Sequence, residues 1–595
     1  MSEAPDGDTR AAGDTRAALV GHGGELAVAA AQAHGVQTMF TLSGTHVFPL
    51  HDGAVRADPP MRLLDVRHEQ TAVFAAEATG RLTRTPGLAV LTAGPGVTNG
   101  ITAVANAWFN GSPLLVIGGR APTERWGTGS RQELDHPPLL APVTKLATTV
   151  RHVNAVANRV DEALRIATLP HRGPVFLDVP MDQLFATTRV VHPTARRPTA
   201  LLPDPDELTD IAALLAQAHR PVLVLGPDVW ADGAELAARR AAETLSIPVV
   251  TSGMGRGILP RGPPQLINGA RRGALDGADV VVVVGTALDF RLGFGDFGGQ
   301  SQAEETRPAP VKVVHVADSP GQLAGHVALA GAAAGDLTAA LDGIAAAWEQ
   351  QLRRTEWAPW RRRLQDLAQD AHDRDRALLT SDAEPVHPAR VFGELAPRLA
   401  EDAVVIGDGG DFVSFAGRFI EPVRPGGWLD PGPYAALGTG LGYAIAARLA
   451  RPSAQVVLLL GDGAAGLSLF DIDTLVRHHL PVVIVVGNNG EWGLEKASMR
   501  AHYGYDVVTR LRPQTRYDDV ARALGGAGEL VTRPGGIGAA LDRAFDAGVP
   551  YLVNVVTDPG AAYPRSPTGI AGFEVAGGGL AQGRPPRSSM RWVRE

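Results

Sequence analysis

Residues 456–492 read VVLLLGDGAAGLSLFDIDTLVRHHLPVVIVVGNNGEW, and few folds accept that pattern. Two apolar runs, 456–460 and 482–486, have the length of strands buried on both faces, and the segment between them is amphipathic and of helical length. Strand, crossover helix and strand make a βαβ unit, which commits the region to a parallel sheet. Each run ends on a polar tip, Gly461-Asp462-Gly463 and Asn488-Asn489. Open parallel sheets hold ligands at the carboxyl ends of their strands, so both tips face one site.

The tips carry the chemistry of a metal diphosphate site. Gly461, Gly463 and the N–H groups opening the next helix, that of Ala464 among them, can approach phosphate oxygens closely. Asp462, the Asn489 amide oxygen and the Glu491 carbonyl are hard donors suited to Mg2+. A strand turn with a helix-capping aspartate accounts for the first tip alone. The pair, GDG followed after 24 residues (Ala464 to Gly487) by NN, resembles the signature of thiamine-diphosphate enzymes.

At 595 residues the chain has room for two to four domains. Its net charge of −8 argues against a polyanion-binding surface, so no nucleic-acid partner is expected. The absence of cysteine excludes disulfides, thiolate metal sites and a cysteine nucleophile. Apolar runs fall short of the ~18–20 residues of a membrane span, and the first residues are polar. The expectation is a cytoplasmic protein with no membrane partner.

Strand-like runs at 38–42, 88–92, 114–117 and 175–179 alternate with helical patterns and predict a first α/β domain, pyrimidine-binding in the resemblance below, over 17–190, after a polar tail at 1–16. Runs at 222–225, 249–251, 280–284 and 311–315 predict a middle, nucleotide-binding-like domain over 205–347. Charged residues at 348–387 read as a helical connector, 388–560 as the diphosphate domain, and the Gly-, Pro- and Arg-rich 561–595 as a tail or lid. The fold class is therefore three consecutive α/β domains with parallel sheets.

A thiamine cofactor needs a carboxylic acid beside its aminopyrimidine, to share a proton with the ring nitrogen so that the cofactor deprotonates its own thiazolium carbon. Glu69 is the candidate. In DVRHEQTAVFAAEATGRL it follows a strand-like LLDV and opens a long apolar-periodic helix, although the helix dipole also favours an acid in a first turn.

With RHEQTAVFAAEATGRL, LTAGPGVTNGITAVANAWFNGSPLLVIGG at 91–119 and RQELDH at 131–136, the chain resembles the acetolactate-synthase-like superfamily of thiamine-diphosphate enzymes over about residues 17–560. Within it, GPYAALGTGLGYAIAARLA at 432–450 and DTLVRHHLPVVIVVGNNG look most like the 2-hydroxyacyl-CoA lyases, relatives of oxalyl-CoA decarboxylase. The resemblance implies that Glu69 activates the cofactor and that Asp462, Asn489 and the Glu491 carbonyl hold Mg2+. It implies that Leu437, Met in many relatives, keeps thiamine bent and that Gly94, Pro95 and Gly96 lie beside the aminopyrimidine. Gln132 and His46 then line the reaction space, the alternatives being a solvated polar residue and a loop histidine. A homodimer at minimum follows, often paired into a homotetramer, because in the family the glutamate domain of one subunit faces the diphosphate domain of the other.

Departures from the family bear on the substrate. Where those lyases continue NN with a Gly-Ile-Tyr element, this chain has Gly490-Glu491-Trp492-Gly493-Leu494-Glu495. Glu491 or Glu495, the latter favoured by its spacing of six from Asn489, is read as relaying protons to and from a substrate hydroxyl. His478-His479 reads as a helix end whose cation suits the dipole. In the middle domain Arg291 could reach phosphate and Asp318 a ribose or adenine edge; the resemblance implies ADP or the CoA nucleotide there, with FAD less favoured, and a Gly-rich strand turn with no ligand is the alternative. Arg584, Arg587, Arg591 and Arg594 around Trp592 could fold over the cleft and meet CoA phosphates. The activity implied is reversible cleavage of a 2-hydroxyacyl-CoA to formyl-CoA and an aldehyde or ketone, with short or branched units such as 2-hydroxyisobutyryl in view. The alternatives are acetolactate-synthase-type condensation of 2-oxo acids and a non-catalytic nucleotide-binding homologue.

Overall fold

The computed structural model describes residues 18–191, 195, 199–260, 262–298, 310–352 and 356–564. The expected N-terminal tail and, from residue 565, the expected C-terminal lid with its four arginines lie outside them. Three all-parallel sheets follow one another along the chain. The first has the strand order Arg62–Asp65, Thr38–Thr41, Gly87–Leu91, Leu114–Arg120, Pro174–Pro180, Leu146–Thr149. The middle sheet runs Val249–Thr251, Pro221–Leu225, Val280–Val284, Lys312–Ala317, Leu329–Ala334. The third runs Trp428–Leu429, Val404–Asp408, Val456–Gly461, Val483–Asn488, Tyr551–Val556, Ala527–Val531. An additional strand, Ala18–His22, pairs antiparallel with Thr187–Val191 and ties the two ends of the first domain together.

Strands covered on both faces supply two cores at once. In Val456–Gly461, Leu458 and Leu460 pack with the Gly440–Ala450 helix, while Val457 and Leu459 pack on the opposite face with the helices Pro388–Leu395 and Ile537–Asp546. The crossover that follows is broken into a helix Asp462–Ser468, a 3-10 turn Leu469–Asp471 and a helix Ile472–Arg477. The break presents Asp471, 1% exposed, to the first domain, where its carboxylate accepts from Arg67 N (2.8 Å) and Thr71 Oγ1 (2.6 Å). His478 and Arg477 both bond Asp65, so the paired histidines end a helix that is docked on the first domain.

The seam between first and third domains is the helix Glu69–Thr83 against Gly440–Ala450. Within it Glu77 is fully buried and accepts from Asn106 Nδ2 (3.0 Å to each oxygen) and Asn110 Nδ2 (2.8 Å). Tyr443 OH accepts from Asn106 Nδ2 at 2.9 Å and Arg81 Nη1 at 3.1 Å. A buried polar network of this kind fixes one docking geometry because each broken bond strands a desolvated group.

The segment expected as a helical connector is helical over Ala358–Leu379 and packs both on the middle domain and on the helix Pro388–Leu395. Trp357 and Trp360 are buried there and donate from Nε1 to Ala218 O (3.0 Å) and Pro221 O (3.1 Å). Their apolar area and satisfied N–H groups outweigh the charge of the surrounding sequence.

First and middle domains meet at a charged cluster. His171 Nδ1 lies 2.9 Å from Asp318 Oδ2, and Arg172 Nη2 donates to Asp232 Oδ1 at 2.6 Å, with Asp228 and Lys145 facing the same groups. Burial pushes Asp228 up to about 7, partly offset by the His171 charge. Burial disfavours the His171 cation, but Asp228 and Asp318 outweigh it and raise the imidazole. Both groups bind a proton more tightly folded than unfolded, so docking loses stability as pH rises toward and through neutrality. Asp228→Asn is expected to melt about 2–4 °C above the wild type near pH 8, with the advantage shrinking toward about pH 5. A melting difference independent of pH would remove this account.

Candidate active site

Three strands deliver their carboxyl ends to one place on the third sheet: Val404–Asp408, Val456–Gly461 and Val483–Asn488, neighbours in that order. Asp462, 3% exposed, clamps two of them together, its Oδ2 accepting from Gly490 N at 2.6 Å and its Oδ1 from Gly463 N at 3.0 Å. Burial pushes this carboxyl up to about 6, against those donors. Among the described residues its hydrogen-bond partners are backbone N–H groups, and no cationic side chain offsets its charge. Asn489 Oδ1 accepts from Glu491 N at 3.0 Å. The next bridge, Leu511 N to Gly490 O (2.8 Å) and Trp492 N to Thr509 O (2.7 Å), leaves the Glu491 carbonyl out of the ladder. A side chain at Gly461 would meet nothing within 4 Å. An uncompensated carboxylate, an amide oxygen and a carbonyl beside an open glycine edge fit a divalent metal carrying a diphosphate.

One detail differs from expectation and another agrees with it. A Cβ on Gly463 would come within 2.5 Å of the Trp492 indole, so the ring covers Gly463, and Gly461 is the glycine left open to phosphate. Asn488 turns into the sheet, donating to Thr515 O (2.9 Å) and Asn554 Oδ1 (3.1 Å), which leaves Asn489 as the asparagine at the site. Ala464 is buried in the first turn of the crossover helix. Glu491 pairs its carboxylate with Lys496, which also donates to Pro559 O at 3.2 Å. Glu495 is exposed on the helix Gly493–Tyr503. Of the two expected proton relays, one is thus ion-paired and the other open to solvent.

Asp408 is a site residue that sequence reasoning missed. Fully buried, it accepts from Gly438 N (3.1 Å) and Gly440 N (2.8 Å), and burial pushes it up to about 6 against those bonds. It thereby holds the loop carrying half-buried Leu437 at the same edge. The signal was present in GDGGD at 407–411, a glycine-flanked acid at a strand end.

On the first domain, Glu69 is 8% exposed and opens the helix Glu69–Thr83, capped by His68. Its Oε2 accepts from Asn99 Nδ2 at 2.9 Å, and the position of a Cβ on Gly96 lies 3.7 Å from its Oε1. Pro95 and Gly96 begin the helix Pro95–Phe109. Gly94, at φ +60°, has Gln132 Cβ 3.0 Å from where its own Cβ would be, so neither backbone nor space admits a side chain. His46 Nδ1 lies 3.2 Å from Thr92 Oγ1, and burial holds the imidazole below its ordinary value. The fold therefore brings Glu69, Gly94, Pro95, Gly96, Gln132 and His46 to one edge and adds Asn99 and Thr92. Among the described residues no hydrogen bond joins Glu69 to Asp462 or Asn489.

The middle domain corrects one assignment. Asp318, 2% exposed, is held by His171 and lies 3.8 Å from Arg172, so it docks the first domain and is not free to meet a ribose. Arg291 grips both oxygens of Asp289 in its own loop, with contacts of 2.7–3.0 Å. Arg271 donates to Thr251 O (3.4 Å) and Arg291 O (3.2 Å), and burial, helped by the Arg291 and Arg256 charges, lowers it to about 10. No described helix is long and apolar enough to cross a membrane.

Family models for thiamine pyrophosphate enzymes match all three domains: the N-terminal binding domain at residues 21–139, the central domain at 208–344 and the C-terminal binding domain at 408–555. A Mycobacterium bovis protein named "Probable acetolactate synthase" is 47% identical over 93% of this chain and 98% of its own length, as is the "Acetolactate synthase large subunit IlvG" of Mycobacterium tuberculosis. The "2-hydroxyacyl-CoA lyase 2" of Mus musculus is 34% identical over 86% of this chain and 85% of its own. With three domain models in order along three parallel-sheet domains, and relatives aligned over nearly the whole length, the chain belongs to the thiamine pyrophosphate enzymes.

Proposed function

We propose that the protein breaks and makes a carbon–carbon bond beside a carbonyl as a 2-hydroxyacyl-CoA lyase. The observation that carries the chemistry is the pair of half-sites: Asp462 clamped on the Asn489 turn beside open Gly461, and Glu69 pinned by Asn99 beside Gly96. Asp462, Asn489 and the Glu491 carbonyl would hold Mg2+ and through it the diphosphate. Thiamine diphosphate, when bound, supplies a carbon that attacks a carbonyl and accepts the electron pair of the bond that breaks. Glu69 holds a proton at the aminopyrimidine, Asp408 fixes the Leu437 wedge, and Trp492, His46 and Gln132 bound the space and limit water. The overall step balances: the bond between thioester carbonyl and hydroxyl-bearing carbon breaks, the hydroxyl proton leaves to a base such as Glu495 or Glu491, and the departing formyl carbon gains a proton.

A CoA substrate is supported by the lyases among the relatives. An acetolactate-synthase-type condensation is the second reading, favoured by the 47% identity to proteins of that name. No hydrogen bond joins the half-sites among the described residues of one chain, and Leu467, Phe470 and the stacked Phe109–Tyr434 pair leave apolar surface exposed on the first and third domains. These features support a homodimer, with tetramers as its pairing, in which Glu69 meets the diphosphate edge of a second copy. Mass-spectrometric analysis of products, with thiamine diphosphate and Mg2+ and graded 2-hydroxyacyl-CoAs or pyruvate, tests the assignment. Formyl-CoA with an aldehyde or ketone is expected; acetolactate from pyruvate with inert acyl-CoAs would overturn the lyase in favour of the synthase.

A further inference from the structure

We infer that Asn99 is a positioning residue that gives the two carboxylate oxygens of Glu69 separate duties, Oε2 tethered and Oε1 presented to the cofactor ring. The inference rests on the reading of Glu69 as the acid that shares a proton with that ring. Asn99 lies on the exposed face of the helix Pro95–Phe109, one turn past the Gly94-Pro95-Gly96 loop. Asparagine is a poor helix former because its amide competes for backbone groups, so an exposed helical position gives no reason of its own for one. Here the amide is committed outward, Nδ2 donating to Glu69 Oε2 at 2.9 Å.

The other oxygen has a different surrounding. Oε1 faces Gly96 of the neighbouring helix, where even a Cβ would stand 3.7 Å away. With Glu69 itself at the first position of its helix and 8% exposed, the side chain has little room to move except by rotating about its last bond. The Asn99 tether stops that rotation. A carboxylate free to turn would offer either oxygen in turn, and only part of the population would be aligned for proton exchange.

The test follows hydrogen–deuterium exchange at the thiazolium carbon of thiamine diphosphate bound to the holoenzyme, across pH, with cofactor affinity read in parallel from tryptophan fluorescence. Asn99→Leu, of similar size and without a donor, is expected to slow exchange by about ten- to a hundredfold, the loss of one hydrogen bond to a charged group. Its pH profile should move to higher pH because the charged carboxylate has lost a donor, while cofactor affinity changes by less than about threefold. Asn99→Asp should show exchange that falls steeply with rising pH, as a second carboxylate ionises opposite the first and ceases to donate. An exchange rate and pH profile unchanged in Asn99→Leu would overturn the inference. Should that variant fail to hold the cofactor, the Asn99→Asp profile decides alone, and one parallel to wild type would overturn it. Glu69→Gln separates the two claims: if exchange persists there, the Glu69 reading itself fails, whereas exchange lost there and intact in Asn99→Leu sinks the positioning role only.

Discussion

Glu69→Gln is expected to lower turnover by about a hundred- to ten-thousandfold, the range of a lost acid–base catalyst, while the protein still binds thiamine diphosphate. Glutamine keeps the side-chain length and an oxygen for the Asn99 amide, so the helix start at residue 69 and the Gly94–Gly96 loop have no cause to move. What is lost is a group able to share a proton with the aminopyrimidine. Steady-state rates beside a cofactor titration make the check. Turnover within a few-fold of wild type would transfer the role to another residue, and loss of binding with loss of rate would recast Glu69 as a structural support.

Asp462→Asn attacks the other half-site and should act on binding. The carboxylate accepts from two N–H groups, Gly490 N and Gly463 N. An amide can accept only on its oxygen and would turn its own NH2 toward the second donor. The metal would also lose its anionic ligand. Changes one shell further out typically cost about 10–100-fold in metal affinity, so a direct ligand is expected to cost at least about a hundredfold. The observable is the Mg2+-dependent rise in melting temperature that the cofactor gives the wild type, which mass action ties to affinity and which should vanish. The third sheet should remain folded, because its strands pair through backbone groups. A variant that keeps a wild-type cofactor shift would remove Asp462 from the metal.

How much could be read beforehand varies with the physics of each element. Val280–Val284 and Val249–Thr251 were legible to the residue because β-branched side chains buried on both faces leave an unbroken apolar run. Leu329–Ala334, LAGAAA, was not, since small residues at a half-buried edge carry no strand preference. The two-residue strand Trp428–Leu429 is too short to leave a period. The connector was read as a helix but its packing was not legible, because charges dominate its count while Trp357 and Trp360 do the packing. At the site, Asp462 and Asn489 were legible as tips of one βαβ unit. Asp408 lacked a second motif to make its spacing informative, and Asn99 acts only through a neighbour thirty positions away in sequence. Asp318 illustrates the converse: a correct strand end, whose side chain is used for docking.

The seam between the helices Glu69–Thr83 and Gly440–Ala450 also has a consequence in time. Arg67 meets Asp471 across 404 positions and Arg81 meets Tyr443 across 362. At about 5–20 residues per second, a ribosome needs roughly 20–70 s to make the cover for a helix whose inner face is already out. During that interval the face awaiting cover includes Thr71 and Ala75, with Phe74 as its large ring. Gly442 then closes so near that a Cβ there would stand 2.8 Å from Phe74 Cβ. Gly442 and Ala75 make the late contact tight, and until it forms the Phe74 ring has no partner from the third domain.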